Sequence, residues 1–140
     1  MRFGRGPAML NPAAPASADV LDAGALARLR ELDPSGANQL LQRVLSAFET
    51  SVARLVPQVR EACAAGDLGG VRHVAHTLKS SSASIGATAL AQICGEIESL
   101  IRLEHEADSL LLSLAPRVEA LCAEVEVVQQ ALGHLLDARA

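Results

Sequence analysis

The sequence has no tryptophan, no tyrosine and only two phenylalanines, Phe3 and Phe48, in 140 residues. Bases would find no aromatic surface to stack on. The formal net charge is −4 and no basic run is present, so nothing would track a phosphate backbone. Nucleic-acid binding is excluded on these grounds. Lysine is almost absent: of twelve basic residues eleven are arginine, and the one lysine is Lys79. A membrane span needs roughly 18–20 uncharged apolar residues, and the longest candidate, Leu110–Ala115, is far shorter. After Arg2 and Arg5 no sustained apolar stretch follows, so no secretory leader is expected and the chain reads as cytoplasmic. Cys63, Cys94 and Cys122 are odd in number, lack metal-type spacing and sit among apolar residues, as reduced core cysteines do.

What the chain does have is aliphatic bulk. Half of it is hydrophobic, almost entirely Leu, Val, Ile, Ala and Cys, a composition that suits helices better than a β-sandwich. Residues 1–18 differ from the rest. Pro7, Pro12 and Pro15 lie there among Ala, Gly and Ser, which reads as a disordered N-terminal arm or linker. Residues 19–140 read as one helical domain.

Five helices are expected. Asp22 caps a short first one, Ala23 to Leu32, with Leu26, Leu29 and Leu32 on one side and Asp33-Pro34 as its stop. Ser35 opens a long second helix with the stripe Leu41, Val44, Leu45, Phe48, Val52, Leu55, Val59 and Ala62. Pro57 removes a donor from its interior, so a kink or break is expected near Leu55. Asp67 caps the third helix, Leu68 to Ser84, and Gly86 supplies a left-handed corner. The fourth helix runs from Thr88 to about Glu104 along Leu90, Ile93, Cys94, Ile97, Leu100 and Ile101. Asp108 caps the fifth, whose stripe is Leu111, Leu114, Val118, Leu121, Val125, Val128, Leu132 and Leu135. Pro116 falls near its first turns, where proline is tolerated. Four amphipathic helices joined by short connections make an all-α fold, an antiparallel four-helix bundle with the additional short N-terminal helix across one end. The second and fifth helices should span ~40 Å and the middle two ~25 Å at 1.5 Å per residue. One chain can satisfy all four stripes internally, so a monomer is expected in preference to a dimeric coiled coil.

The third helix has an unusual outer face. Val71, Val74, Ala75, Leu78, Ser82 and Ile85 share the buried side at about 100° per residue. His76 lies nearly opposite, among Gly69, Arg72, His73, Lys79, Ser80 and Ala83. That face carries two histidines and two cations and none of its own carboxylates. Small residues flank His76, so another molecule can approach the imidazole. An exposed imidazole titrates near ~6.5 and is largely neutral and nucleophilic at neutral pH. Neighbouring cations favour the neutral ring and would attract an added phosphoryl group. These features suit a phosphoryl acceptor.

The stretch His76-Thr77-Leu78-Lys79-Ser80-Ser81-Ser82-Ala83-Ser84-Ile85-Gly86-Ala87, followed by Leu90-Ala91, Ile93-Cys94 and Ile97-Glu98, resembles the signature of histidine-containing phosphotransfer (HPt) domains. Weaker resemblance extends to Leu29-Arg30-Glu31-Leu32-Asp33 and Ala65-Gly66-Asp67. The resemblance implies that His76 is the phosphorylated histidine, reacting through Nε2, and that Lys79 helps hold the phosphoryl group. Ser80 occupies the small position, often Gly, that lets a receiver domain come close, and Gly86 matches the glycine of the helix turn. With Arg72, His73 and Ala83, Ser80 would form the receiver-docking face. The implied partners are response-regulator receiver domains and a hybrid sensor histidine kinase. Mg²⁺ would come from the receiver, with no cofactor or metal intrinsic to this chain. No glycine-rich phosphate loop or ATP lid is found, so a relay carrier without ATP-dependent kinase activity is expected. His73 and His76 at i, i+3 lack a third ligand for a metal. His105 and His134 read as surface residues. The Ser80–Ser84 run reads as helix packing, with Ser81 and Ser82 bonding back to carbonyls at i−4. Glu96 and Glu98 point about 200° apart and are not a carboxylate pair, and Glu98 fits the family pattern. The rival reading is a non-catalytic helical-bundle adaptor that binds a protein partner through the outer face of the third helix.

Overall fold

A computed structural model describes residues 20–104 and 106–139. The N-terminal arm and His105 lie outside the described residues. Among the described residues there are five helices and no strand: α1 (Ala23–Glu31), α2 (Leu40–Ala65), α3 (Leu68–Ser84), α4 (Thr88–Leu103) and α5 (Ala107–Arg139). Each long helix packs on its neighbours in sequence, and α2 packs on α5 to close the ring. The result is a four-helix bundle with α1 laid against α2. At 1.5 Å per residue α5, with 33 residues, extends to ~50 Å, longer than its stripe suggested.

The core is the aliphatic set that the stripes define. Leu45, Leu55, Val59, Val71, Ala75, Leu78, Leu90, Cys94, Ile97, Leu114, Leu121, Val128 and Leu132 are fully buried. Burial of this kind contributes about 25 cal/mol per Å² of apolar surface. All six residues assigned to the inner face of α3 are buried.

The helices differ in four places from the sequence reading. First, α1 ends one residue early, and Leu32, expected on its packed side, is 74% exposed. Second, α2 starts at Leu40 rather than at Ser35. Asp33 organises the intervening turn, its carboxylate accepting from the amides of Asn38 and Leu40, each at 3.1 Å. Third, of the kink or break expected near Leu55 the break does not occur: α2 continues as one helix through Pro57. Pro57 and Ala53, whose carbonyl loses its partner, both face solvent, where water can replace the lost bond. Fourth, Asp108 lies inside the first turn of α5 rather than capping it, and Leu110 is buried where Leu111 was expected. An acidic residue there still favours the helix N-terminus.

The α3–α4 corner fixes the site's geometry. Gly86 has φ +79°, and Ala87 N–H donates to the Ser82 carbonyl at 2.8 Å, the long bond of a Schellman cap. Gly86 is also where α1 is anchored: Asp22 N–H donates to its carbonyl at 2.7 Å. A Cβ on residue 86 would sit 2.7 Å from that amide nitrogen. Asp22 then caps α1 through Ala25 N–H at 2.9 Å, as its position before the helix suggested.

Candidate functional site

Helix α3 holds His76 away from the core because its inner face is occupied by Val74, Ala75 and Leu78. The His76 side chain is 70% exposed. Gly69, Arg72, His73, Ser80 and Ala83 are exposed on the same side, as the helical spacing required. Gly69, Arg72, His73 and His76 line one shallow open depression of about 290 Å³. Gly86 stands apart, buried at the corner beyond the end of α3.

The residue that sequence reasoning did not assign to the site is Glu98 on α4. Its Oε2 lies 3.0 Å from His76 Nδ1, and its Oε1 lies 2.7 Å from Lys79 Nζ. One carboxylate therefore holds both residues singled out on α3. Its side chain is 11% exposed, against 44% for Lys79. The absence of carboxylates from the outer face is a property of α3 alone, and α4 supplies one across the α3–α4 junction.

Charge and tautomer follow from this arrangement. The hydrogen-bonded Lys79 ammonium holds the Glu98 carboxyl below the usual glutamate range. Burial opposes this, and the His76 hydrogen bond reinforces it. An ionised carboxylate can only accept, so Nδ1 of His76 carries the proton and donates to Glu98. In the neutral ring this leaves Nε2 with a free lone pair, directed away from α4.

Beneath Glu98, one helical turn earlier, lies Cys94. Burial first, and the Glu98 charge second, push its thiol up to about 12, with Lys79 only partly offsetting them. Burial also raises the Cys122 thiol. Cys94 and Cys122 are thus un-ionised core thiols, and Cys63 is half-buried; all three are free. Ser81 and Ser84 donate to the carbonyls of Thr77 and Ser80, each at 3.1 Å. Ser82 is fully buried, as its inner-face position requires, but its hydroxyl, expected to bond back to the carbonyl at i−4, has no partner. Among the described residues no group of three or more His, Cys, Asp or Glu side chains is placed to hold a metal. No helix among them is long and apolar enough to cross a membrane.

Residues 43–138, well over half the chain, match the Hpt domain. The chain belongs to the Hpt domain family, whose members are phosphocarriers in histidine phosphorelays rather than kinases. A crystal structure of histidine-containing phosphotransfer protein B (HptB) from Pseudomonas aeruginosa PAO1 is similar, with a TM-score of 0.56 and 26% sequence identity. The match covers 81% of this chain and 96% of that one. Comparison with curated proteins finds none that matches.

Proposed function

We propose that this protein is a phosphorelay intermediate in which His76 accepts a phosphoryl group from a receiver-domain aspartate and passes it to, or takes it back from, a response-regulator receiver. The observation that carries this reading is the Nδ1–Glu98 hydrogen bond, which leaves Nε2 of a well-exposed ring as the nucleophile. In the step, the Nε2 lone pair forms a P–N bond while the P–O bond to the aspartate breaks, and the aspartate leaves with that electron pair as a carboxylate. The ring becomes an imidazolium, and its charge faces Glu98. Lys79 stabilises the added phosphoryl group, moving from Glu98 by rotation of its flexible stem. Arg72, His73, Ser80 and Ala83 form the docking face. Mg²⁺ would be held by the receiver's own acidic pocket, where it would offset the aspartate's charge, and this chain's residues need not bind it. A hybrid sensor kinase is the upstream partner, and the protein acts as a cytoplasmic monomer without using ATP itself.

Incubation with a phosphorylated receiver should leave acid-labile, base-stable label on the wild-type chain and none on His76→Gln with an unchanged helical spectrum. Label that survives His76→Gln would overturn the site, and no label on the wild type would favour the adaptor reading. Glu98→Gln separates the two tasks of the carboxylate. Its amide oxygen still accepts from Nδ1–H, but it has no charge to hold Lys79 or the imidazolium. Transfer should therefore slow in Glu98→Gln and slow further in Glu98→Ala, as measured by single-turnover kinetics.

A further inference from the structure

We propose that the smallness of residue 95 positions Lys79: with no side chain larger than a methyl on α4 level with that lysine, the lysine stem can lie against α4 and deliver its ammonium to Glu98.

Glycine is among the poorest residues for a helix interior, and Gly95 sits in the middle of the 16-residue α4. Its backbone is ordinary right-handed helix, so no unusual φ calls for glycine there. The space where its side chain would be has a single neighbour. A Cβ built on Gly95 would lie 3.8 Å from Cδ of Lys79, with no other atom within 4 Å beyond its own stretch of helix. The two positions are level across the antiparallel pair, each eight residues from Ala87 at the corner. The lysine stem thus crosses α4 over bare backbone and ends 2.7 Å from Glu98 Oε1, one helical turn further along. Gly95 and Lys79 also line one open groove with Glu96, Ser99 and Arg117. A single methyl at 95 fits in ordinary contact. A β-branched side chain adds a second γ-carbon beside the stem and displaces it.

The inference rests on the relay reading for its purpose, but its test does not use phosphotransfer. The Glu98 carboxyl can be titrated by ¹³C NMR in the full chain, since Lys79 is the main cause of its lowered pKa. Gly95→Ala should keep the wild-type Glu98 titration and raise Tm. Gly95→Val should move that titration up toward the position found in Lys79→Ala. In a Lys79→Ala background Gly95→Val should move it no further. Gly95→Ile provides a second β-branched variant should Gly95→Val fail to fold. An unchanged Glu98 titration in the branched variants overturns the proposal, and so does a shift that persists without Lys79. Either failure leaves the relay reading intact, because labelling of His76 is measured separately.

Discussion

Ser82 occupies a core position with a hydroxyl that neither bonds back along α3 nor reaches a neighbour. An unsatisfied buried hydroxyl is unfavourable, and removing it is favourable where no bond is lost. Ser82→Ala should therefore raise unfolding free energy by about 1 kcal/mol in urea titration, at unchanged m. A loss of stability would show that the hydroxyl has a partner in solution. The same residue marks where reading one helix at a time stops. Periodicity put Ser82 on the inner face, and the structure agrees, but whether its oxygen bonds to the carbonyl one turn back depends on the rotamer that neighbouring helices permit. His76 was legible for the opposite reason: its exposure follows from α3 alone. Glu98 was not, because its task is defined by residues on another helix.

At the scale of elements, the missing step is the register of the α3–α4 pair. His76 and Glu98 are each eleven residues from Ala87, so a tight corner there brings them level. Locating the corner was possible from Ile85-Gly86-Ala87, and counting outward from it would have found the carboxylate. The α1–α2 connection was less legible. The sequence marks Asp33 only as the residue that Pro34 forces out of helix, and its folding of the whole turn through Asn38 and Leu40 depends on tertiary placement. Gly86 gives the sharpest element-level expectation. An L-residue at its φ of +79° costs roughly 1–2 kcal/mol, before the clash of its Cβ with the backbone of Asp22. Gly86→Ala should lose at least about 2 kcal/mol, with faster amide exchange at Asp22, where α1 is anchored. Gly95→Ala, the same change at an uncrowded helical site, should have the opposite sign. Equal effects at the two sites would refute the distinction.

For the whole molecule, buried thiols set an alkaline limit. An unfolded cysteine ionises near 9, whereas folded Cys94 does so at about 12. Above pH 9 the unfolded chain releases a proton that the folded chain keeps, so stability present below pH 9 declines as pH rises toward 12. Cys122, raised in the same direction, adds to the decline. Urea midpoints measured from pH 7 upward should fall beyond pH 9, and Cys94→Ala should flatten that fall; an unaltered slope would remove Cys94 as its source. Glu98 acts at the other end: its lowered pKa gives stability that is present above the ordinary 4.5 and lost as acid protonates it. The bundle itself was the most legible level, because four aliphatic stripes on one short chain have few ways to be covered together. One compositional fact reaches beyond folding. Lys79 is the single side-chain amine in the sequence, and it is the one that Glu98 holds at 2.7 Å. Amine-directed reagents such as acylating probes, isotope-coded tags or fluorophores therefore report on one side chain only. The extent of labelling at Lys79, read by peptide mass, therefore follows whether that amine is held against Glu98 or free in the intact protein.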